Sequence, residues 1–277
     1  MKRALLTIAT VVGMGLAATV VAVFAPGIAL GTMTEIGTAP GDVITYGTSS
    51  GSSGVSGVSG VSGVSGVSGV TGVSGVTGVA DSSPVPQCPG SPCVAVSQTT
   101  GFQVKVGSTH SITTIKRSGS IVAWTLTLGS PTTSAPAGQI SQTTYFDQHE
   151  GGAAQAGIAV LKPGRHLEYT LVGQSPVEQL LPYFGETVQF PLAASIPVKK
   201  GDILALTVPT WAPVLALTNA AGHTYGKYVS WRASRSKSGC KVTSSQTAQQ
   251  SLRSNTQYAC LYQSVRLTYS ALLVSTP

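Results

Sequence analysis

The chain has 277 residues, of which 9% are charged and 42% apolar, and its formal net charge is +7. That apolar share excludes a chain disordered throughout, and the scarcity of charge leaves Ser, Thr and Gly to supply the polar surface, as exported β-rich proteins often do. The length allows about two domains, yet residues 1–86 differ in composition from the rest, which leaves one domain of roughly 190 residues with room for a substantial core.

Lys2 and Arg3 open the chain and an uncharged apolar run, residues 4–25, follows. A basic pair before such a run marks an export signal, so residues 1–31 are expected to be a signal peptide or an N-terminal membrane anchor. Cleavage fits after Ala25 or, better, after Gly31, where small residues stand at the two required positions. The run is also long enough to span a bilayer uncleaved, and in both cases the C-terminal part lies outside the cell.

Residues 32–86 form a low-complexity Gly/Ser/Val stretch, and within it residues 51–80 place glycine at every third position. A collagen triple helix needs that spacing, but these triplets contain no proline to bias the chain toward the extended left-handed conformation. A disordered tether is therefore preferred, with a trimeric rod as the alternative.

Prolines 84, 86, 89 and 92 lead into "CPGSPC", where the domain, residues 87–277, is expected to begin. Cys88, Cys93, Cys240 and Cys260 follow an export signal and lack zinc-ligand spacing, so they predict disulfides. Cys88 with Cys93 and Cys240 with Cys260 is favoured because both loops are short; the two crossed pairings stay open.

From Phe102 onward the apolar period is two. Phe102, Val104 and Val106 share a face; so do Val122, Trp124, Leu126 and Leu128; so do Leu167, Tyr169 and Leu171. The pattern returns at Val188 and Phe190, at Leu204, Leu206 and Val208, at Tyr228, and at Val265, Leu267, Tyr269 and Ala271. "SPVEQLL", residues 175–181, is the best helix candidate, with Ser175 as cap and Pro176 at the first helical position. Eight to ten short strands with turn signals between them predict an all-β fold, a single antiparallel β-sandwich of jelly-roll type.

"GSIVAWTLTL", "GIAVLKP" and "FPLAASIPVKKGDILALTV" resemble a family of exported β-sandwich proteins of unknown function from high-GC Gram-positive bacteria, over roughly residues 102–228. In "IPVKKGDILAL" the residues Lys200-Gly201-Asp202 look like a turn leading into a strand, as also happens in carbohydrate-binding sandwiches. The resemblance implies fold and export and no chemistry, and the basic insert from Cys240 to Cys260 goes beyond the family's pattern.

No H-E-x-x-H or phosphate loop occurs, and no cofactor is expected. In "YFDQHEGG" the residues Asp147, His149 and Glu150 offer ligands for a divalent ion, although two carboxylates fall short of a calcium shell and a solvated loop is the plainer reading. Asp202 reads as a turn residue that caps its own backbone, and Glu168, Glu178 and Glu186 are the other candidates for an acid pair. Trp211, in "VPTWAPV", is a candidate sugar-stacking platform, against the alternative that it closes the end of the sandwich. No acidic residue follows Asp202, while Lys227, Arg232, Arg235, Lys237, Lys241, Arg253 and Arg266 do. Arg232, Arg235, Lys237 and Lys241 are accordingly candidate contacts for an anionic partner.

These features point to a non-catalytic binding or structural module, secreted or displayed at the cell surface, that meets an anionic or carbohydrate polymer of the envelope. Nucleic acid is not the expected partner. An extracellular enzyme acting on polysaccharide is the alternative.

Overall fold

The structure is a computed structural model, and it describes residues 32–37, 95–217, 226–241 and 247–275. The export segment, the glycine repeat, Cys88 and Cys93 lie outside the described residues. Among the described residues no helix is long and apolar enough to cross a membrane.

The chain folds as an antiparallel all-β sandwich. Its strands are β1 (Met33–Gly37), β2 (Val96–Val106), β3 (Thr109–His110), β4 (Gly119–Thr127), β5 (Gln155–Pro163), β6 (Glu168–Gln174), β7 (Glu178–Gln179) and β8 (Thr187–Val198). They continue with β9 (Ile203–Ala212), β10 (Leu215–Ala216), β11 (Val229–Ala233), β12 (Asn255–Gln257), β13 (Cys260–Gln263), β14 (Arg266–Leu267) and β15 (Tyr269–Ser275). One sheet runs β1-β15-β4-β8; the larger runs β12-β6-β5-β9-β2-β11-β13, with β3 beside β2 and β7 beside β5. The chain crosses between these two sheets at β1 to β2, β3 to β4, β4 to β5, β7 to β8 and β8 to β9, and β10 and β14 pair as a separate two-stranded sheet that the chain passes through on its way from β13 to β15.

The core lies between the sheets. Trp124, Leu126, Phe190, Tyr269 and Leu273 of the smaller sheet meet Ile158, Val160, Leu204, Leu206 and Trp231 of the larger one. The Tyr269 hydroxyl donates to the Leu204 carbonyl at 2.9 Å, one polar tie across an otherwise apolar layer. Because it has lost water, the Tyr269 phenol is pushed well above its ordinary pKa. The outer face of the larger sheet is covered too, with Phe102, Leu161, Leu171, Ala205 and Tyr258 forming a second cluster. This is why β9 is buried on both faces rather than alternating, with Ile203 and Ala205 as covered as Leu204 and Leu206.

Several sequence expectations change in detail. Val122 is not in phase with Trp124 and Leu126. The register of β4 slips between Ile121 and Ala123 against β8, so Ile121 takes the core position and Val122 is half-buried. One extra residue in a bulge inverts every side chain on one side of it, and period-two counting cannot see it. Residues 175–181 are not a helix: Glu178–Gln179 pairs with β5, and only Leu181–Tyr183 makes a short 3-10 turn. Ser175 instead accepts the Ile158 N–H at 2.9 Å through its hydroxyl, a strand contact rather than a helix cap. Leu167, with φ +62°, sits exposed in the β5–β6 turn, and Tyr228 is 69% exposed before β11.

The sheet also takes up a strand from the stretch assigned to the tether. β1 pairs with β15 from Met33↔Val274 to Gly37↔Ser270, and the Ser275 N–H donates to the Thr32 carbonyl at 3.0 Å. The glycine repeat therefore falls between β1 and β2, two strands of the same sandwich.

The antiparallel registers give the sandwich two ends. At the first gather the finish of β2, β5 and β8 and the start of β1, β4, β6, β9 and β11. The opposite end holds the connections of residues 128–154 and 175–186.

Candidate functional site

Helix α1 (Gln142–His149) occupies the stretch read as a loop. The Ser141 hydroxyl accepts the Thr144 N–H and caps it, and Tyr145 and Phe146 are buried beneath. This helix separates the three candidate metal ligands. Asp147 accepts a 2.8 Å hydrogen bond from the Trp211 indole, His149 packs on Tyr145 with tilted rings 4.7 Å apart, and Glu150 is buried toward Arg235. Among the described residues no three His, Cys, Asp or Glu side chains group so as to hold a metal ion.

Trp211 is not an exposed stacking platform. Its indole is fully buried, lies 4.7 Å from the Phe146 ring in a stacked geometry and 5.6 Å from Phe184, and so closes the end of the sandwich. The β8–β9 turn behaves as read: the Asp202 carboxylate accepts the Lys199 N–H at 2.8 Å, and Gly201 adopts φ +96°, which a side chain would strain.

The C-terminal cations do not form one open face. Arg232 is half-buried and its guanidinium donates to the carbonyls of Tyr258 and Ala259, both at 3.2 Å, tying β11 to the segment before β13. Arg235 and Arg266 are buried. Burial lowers the Arg266 guanidinium to about 10, and burial also lowers Arg235, with Tyr262 and Glu150 acting in the opposite sense. Lys227 and Lys237 are exposed but stand beyond opposite ends of β11, a five-residue strand. Lys241 ends the 3-10 turn Ser238–Lys241.

What these residues do build is a polar cleft of about 330 Å³. One wall is the chain leaving β11. Ser234 donates its N–H to the Thr100 carbonyl at 2.8 Å and accepts the Thr100 N–H at 2.9 Å through its hydroxyl. Arg235 follows, its carbonyl accepting the Ala259 N–H at 2.8 Å. The disulfide Cys240–Cys260 closes this wall onto β13. The floor is Gln249, buried, whose side chain donates to the carbonyls of Tyr169 at 3.2 Å and Ser254 at 2.8 Å and accepts the Tyr258 hydroxyl at 2.7 Å. Burial raises the Tyr258 phenol well above its ordinary value, which keeps it a donor. Ser236, Thr247, Gln250 and Ser251 stand exposed on the rim.

The cleft offers hydroxyls, amides and one guanidinium. Its described lining contains no carboxyl, imidazole or thiol to act as acid, base or nucleophile, and no aromatic ring for stacking. Glu168, Glu178, Glu186 and Asp202 all lie away from it. Of the residues picked from sequence, Arg235 alone lines the cleft. Gln249 and the rim residues gave no signal in a Ser/Thr/Gln-rich stretch, because long-range bonds, from Gln249 to Thr100 of β2 and to Tyr169, bring that stretch to the cleft. No family model, curated protein or solved structure matches the chain.

Proposed function

We propose that this chain is a non-catalytic binding module displayed outside the cell at the envelope, and that the cleft beside Arg235 holds an anionic, hydroxyl-rich polymer. The observation that carries the reading is the lining itself. A sugar chain bearing carboxylates presents many hydroxyls and a few negative charges; a wall of hydroxyls and amides around one guanidinium complements both, since Arg binds carboxylate through paired N–H donors. The basic pair and apolar run at residues 2–25 support export, and the Cys240–Cys260 bond suits an oxidising compartment.

Retention on immobilised polyuronate, compared with a neutral glucan, tests the reading. The wild-type chain is retained by the polyuronate and passes the glucan. Ser251→Trp fills the cleft from an exposed rim position and abolishes retention while the melting temperature stays within a few degrees. Retention equal on both supports, or undiminished in Ser251→Trp, would overturn it.

A further inference from the structure

We propose that the first end of the sandwich, distinct from the cleft, is a docking surface for an anionic lipid bilayer. The registers bring eight cations to this end from distant parts of the chain. They are Lys105 at the finish of β2, Lys116 and Arg117 before β4, Lys162 and Arg165 around the β5–β6 turn, Lys199 and Lys200 in the β8–β9 turn, and Lys227 before β11. All but the half-buried Lys105 are exposed. Two of these connections are locked together: the Lys200 N–H donates to the Ser118 hydroxyl at 3.1 Å, and Gly201 and Ile115 exchange backbone bonds of 2.9 and 2.8 Å with Ile115 and Asp202. The strands β6-β5-β9-β2-β11 that carry the patch are neighbours, so it spans about 20 Å at the usual strand spacing. The backbones of neighbouring strands stand closer together, at about 4.8 Å, than the physiological screening length of about 8 Å.

The charge is polarised along the molecule. Among the described residues Glu168, Asp202 and Glu35, the third residue of β1, oppose the cations at this end; Asp202 is buried in its own turn and Glu35 accepts the Ser270 hydroxyl. The opposite connections, residues 128–154 and 175–186, hold Asp147, Glu150, Glu178 and Glu186 with no Lys or Arg. A bilayer surface, unlike a dissolved polymer, also accepts apolar and aromatic side chains beside the cations. This end supplies them: Met33, Leu167 and Tyr228 are exposed by 67%, 38% and 69%. The chain also enters the sandwich here, at Thr32, seven residues after the apolar run of residues 4–25 ends. An uncleaved run tethers this end to the membrane; cleavage after Gly31 leaves an α-ammonium at the same place.

The test uses the full chain with an environment-sensitive dye on Tyr228→Cys, or on Glu186→Cys at the opposite end, and vesicles carrying a lipid-borne quencher. With phosphatidylglycerol-rich vesicles the dye at 228 is quenched and the dye at 186 is not. Quenching is lost on pure phosphatidylcholine and in 1 M salt, where screening shortens to about 3 Å. Lys116→Ser/Lys200→Ser weakens docking about 30-fold, at about fivefold per cation near an anionic surface. Lys237→Ser/Arg253→Ser, the same change in net charge elsewhere, shifts it less than about threefold on the same scale. Equal quenching at both positions, equal quenching on neutral vesicles, or equal effects of the two pairs would overturn the proposal. A dye at 228 that responds to dissolved polyuronate and stays silent on vesicles would overturn the lipid assignment. Ser251→Trp leaves vesicle docking intact, so this surface and the cleft succeed or fail separately.

Discussion

Replacing Trp211 separates a wall of the sandwich from a ligand platform. The indole is fully buried against Phe146 and Phe184, and its Nε1 donates to Asp147 at 2.8 Å. Truncating a buried aromatic to alanine costs about 3–5 kcal/mol, since the lost transfer energy adds to an unfilled cavity. Trp211→Ala should therefore lose about 4 kcal/mol, a large fraction of the roughly 5–15 kcal/mol that holds a domain folded. Trp211→Phe keeps most of the ring contact and removes the hydrogen bond to a carboxylate, worth about 1.5–3 kcal/mol, less whatever water restores to the half-buried Asp147. Its loss should be about 2 kcal/mol, and Asp147→Ala should add little to it, because both changes break the same bond. Urea unfolding followed by the fluorescence of Trp124 and Trp231 measures all three. A Trp211→Ala protein that unfolds at the wild-type midpoint, yet no longer binds glycan, would refute the burial argument and restore the platform.

Raising the pH should unfold the protein steeply above about pH 10, the ordinary tyrosine value. Burial raises Tyr169, Tyr258, Tyr262 and Tyr269 in the folded state, so the stability they contribute is whole below the unfolded pKa and is lost as pH climbs through the folded ones. Each adds up to about 1.4 kcal/mol per pH unit; the lowered Arg235 and Arg266 work in the opposite direction but are fewer, and a flat thermal-melt profile from pH 9 to about 11 would contradict this balance. Cys240→Ser/Cys260→Ser should cost about 3 kcal/mol in denaturant, from a bridge spanning 20 residues, with the cleft wall opening and polyuronate affinity falling alongside. Deleting residues 51–80 shortens the connection between Gly37 and Ala95 from about 57 residues to about 27, which by loop-closure entropy changes stability by only about 0.7 kcal/mol. A deletion that prevents folding would show that the repeat packs on the sandwich.

Strands were legible where one face met the core and the other met water. Trp124, Leu126 and Phe190 take the core positions that alternation assigns. The Cys240–Cys260 bond was legible because the loop between the two cysteines is short. Val122 was misassigned because a bulge has no signature in hydrophobic period. Helix α1 was missed because its sequence, QTTYFDQH, is short and mostly polar, whereas residues 175–181 imitate a helix start through Ser-Pro spacing. The cationic C-terminal run was visible but does not form one face: Arg266 is buried, Arg232 bonds to backbone carbonyls, and Arg235 lines the cleft. The eight cations at the first end are spread from Lys105 to Lys227, so strand register alone collects them.

The cleft beside Arg235 is tested most directly by calorimetric titration of the full chain with a short uronate oligosaccharide. The account predicts saturable one-site binding that falls only modestly with salt, because a single guanidinium and many neutral hydrogen bonds carry it. It also predicts no heat in Ser251→Trp and a much weaker response to the neutral glucose oligosaccharide. Heat that persists unchanged in Ser251→Trp, or that vanishes in high salt along with the vesicle docking, would contradict it.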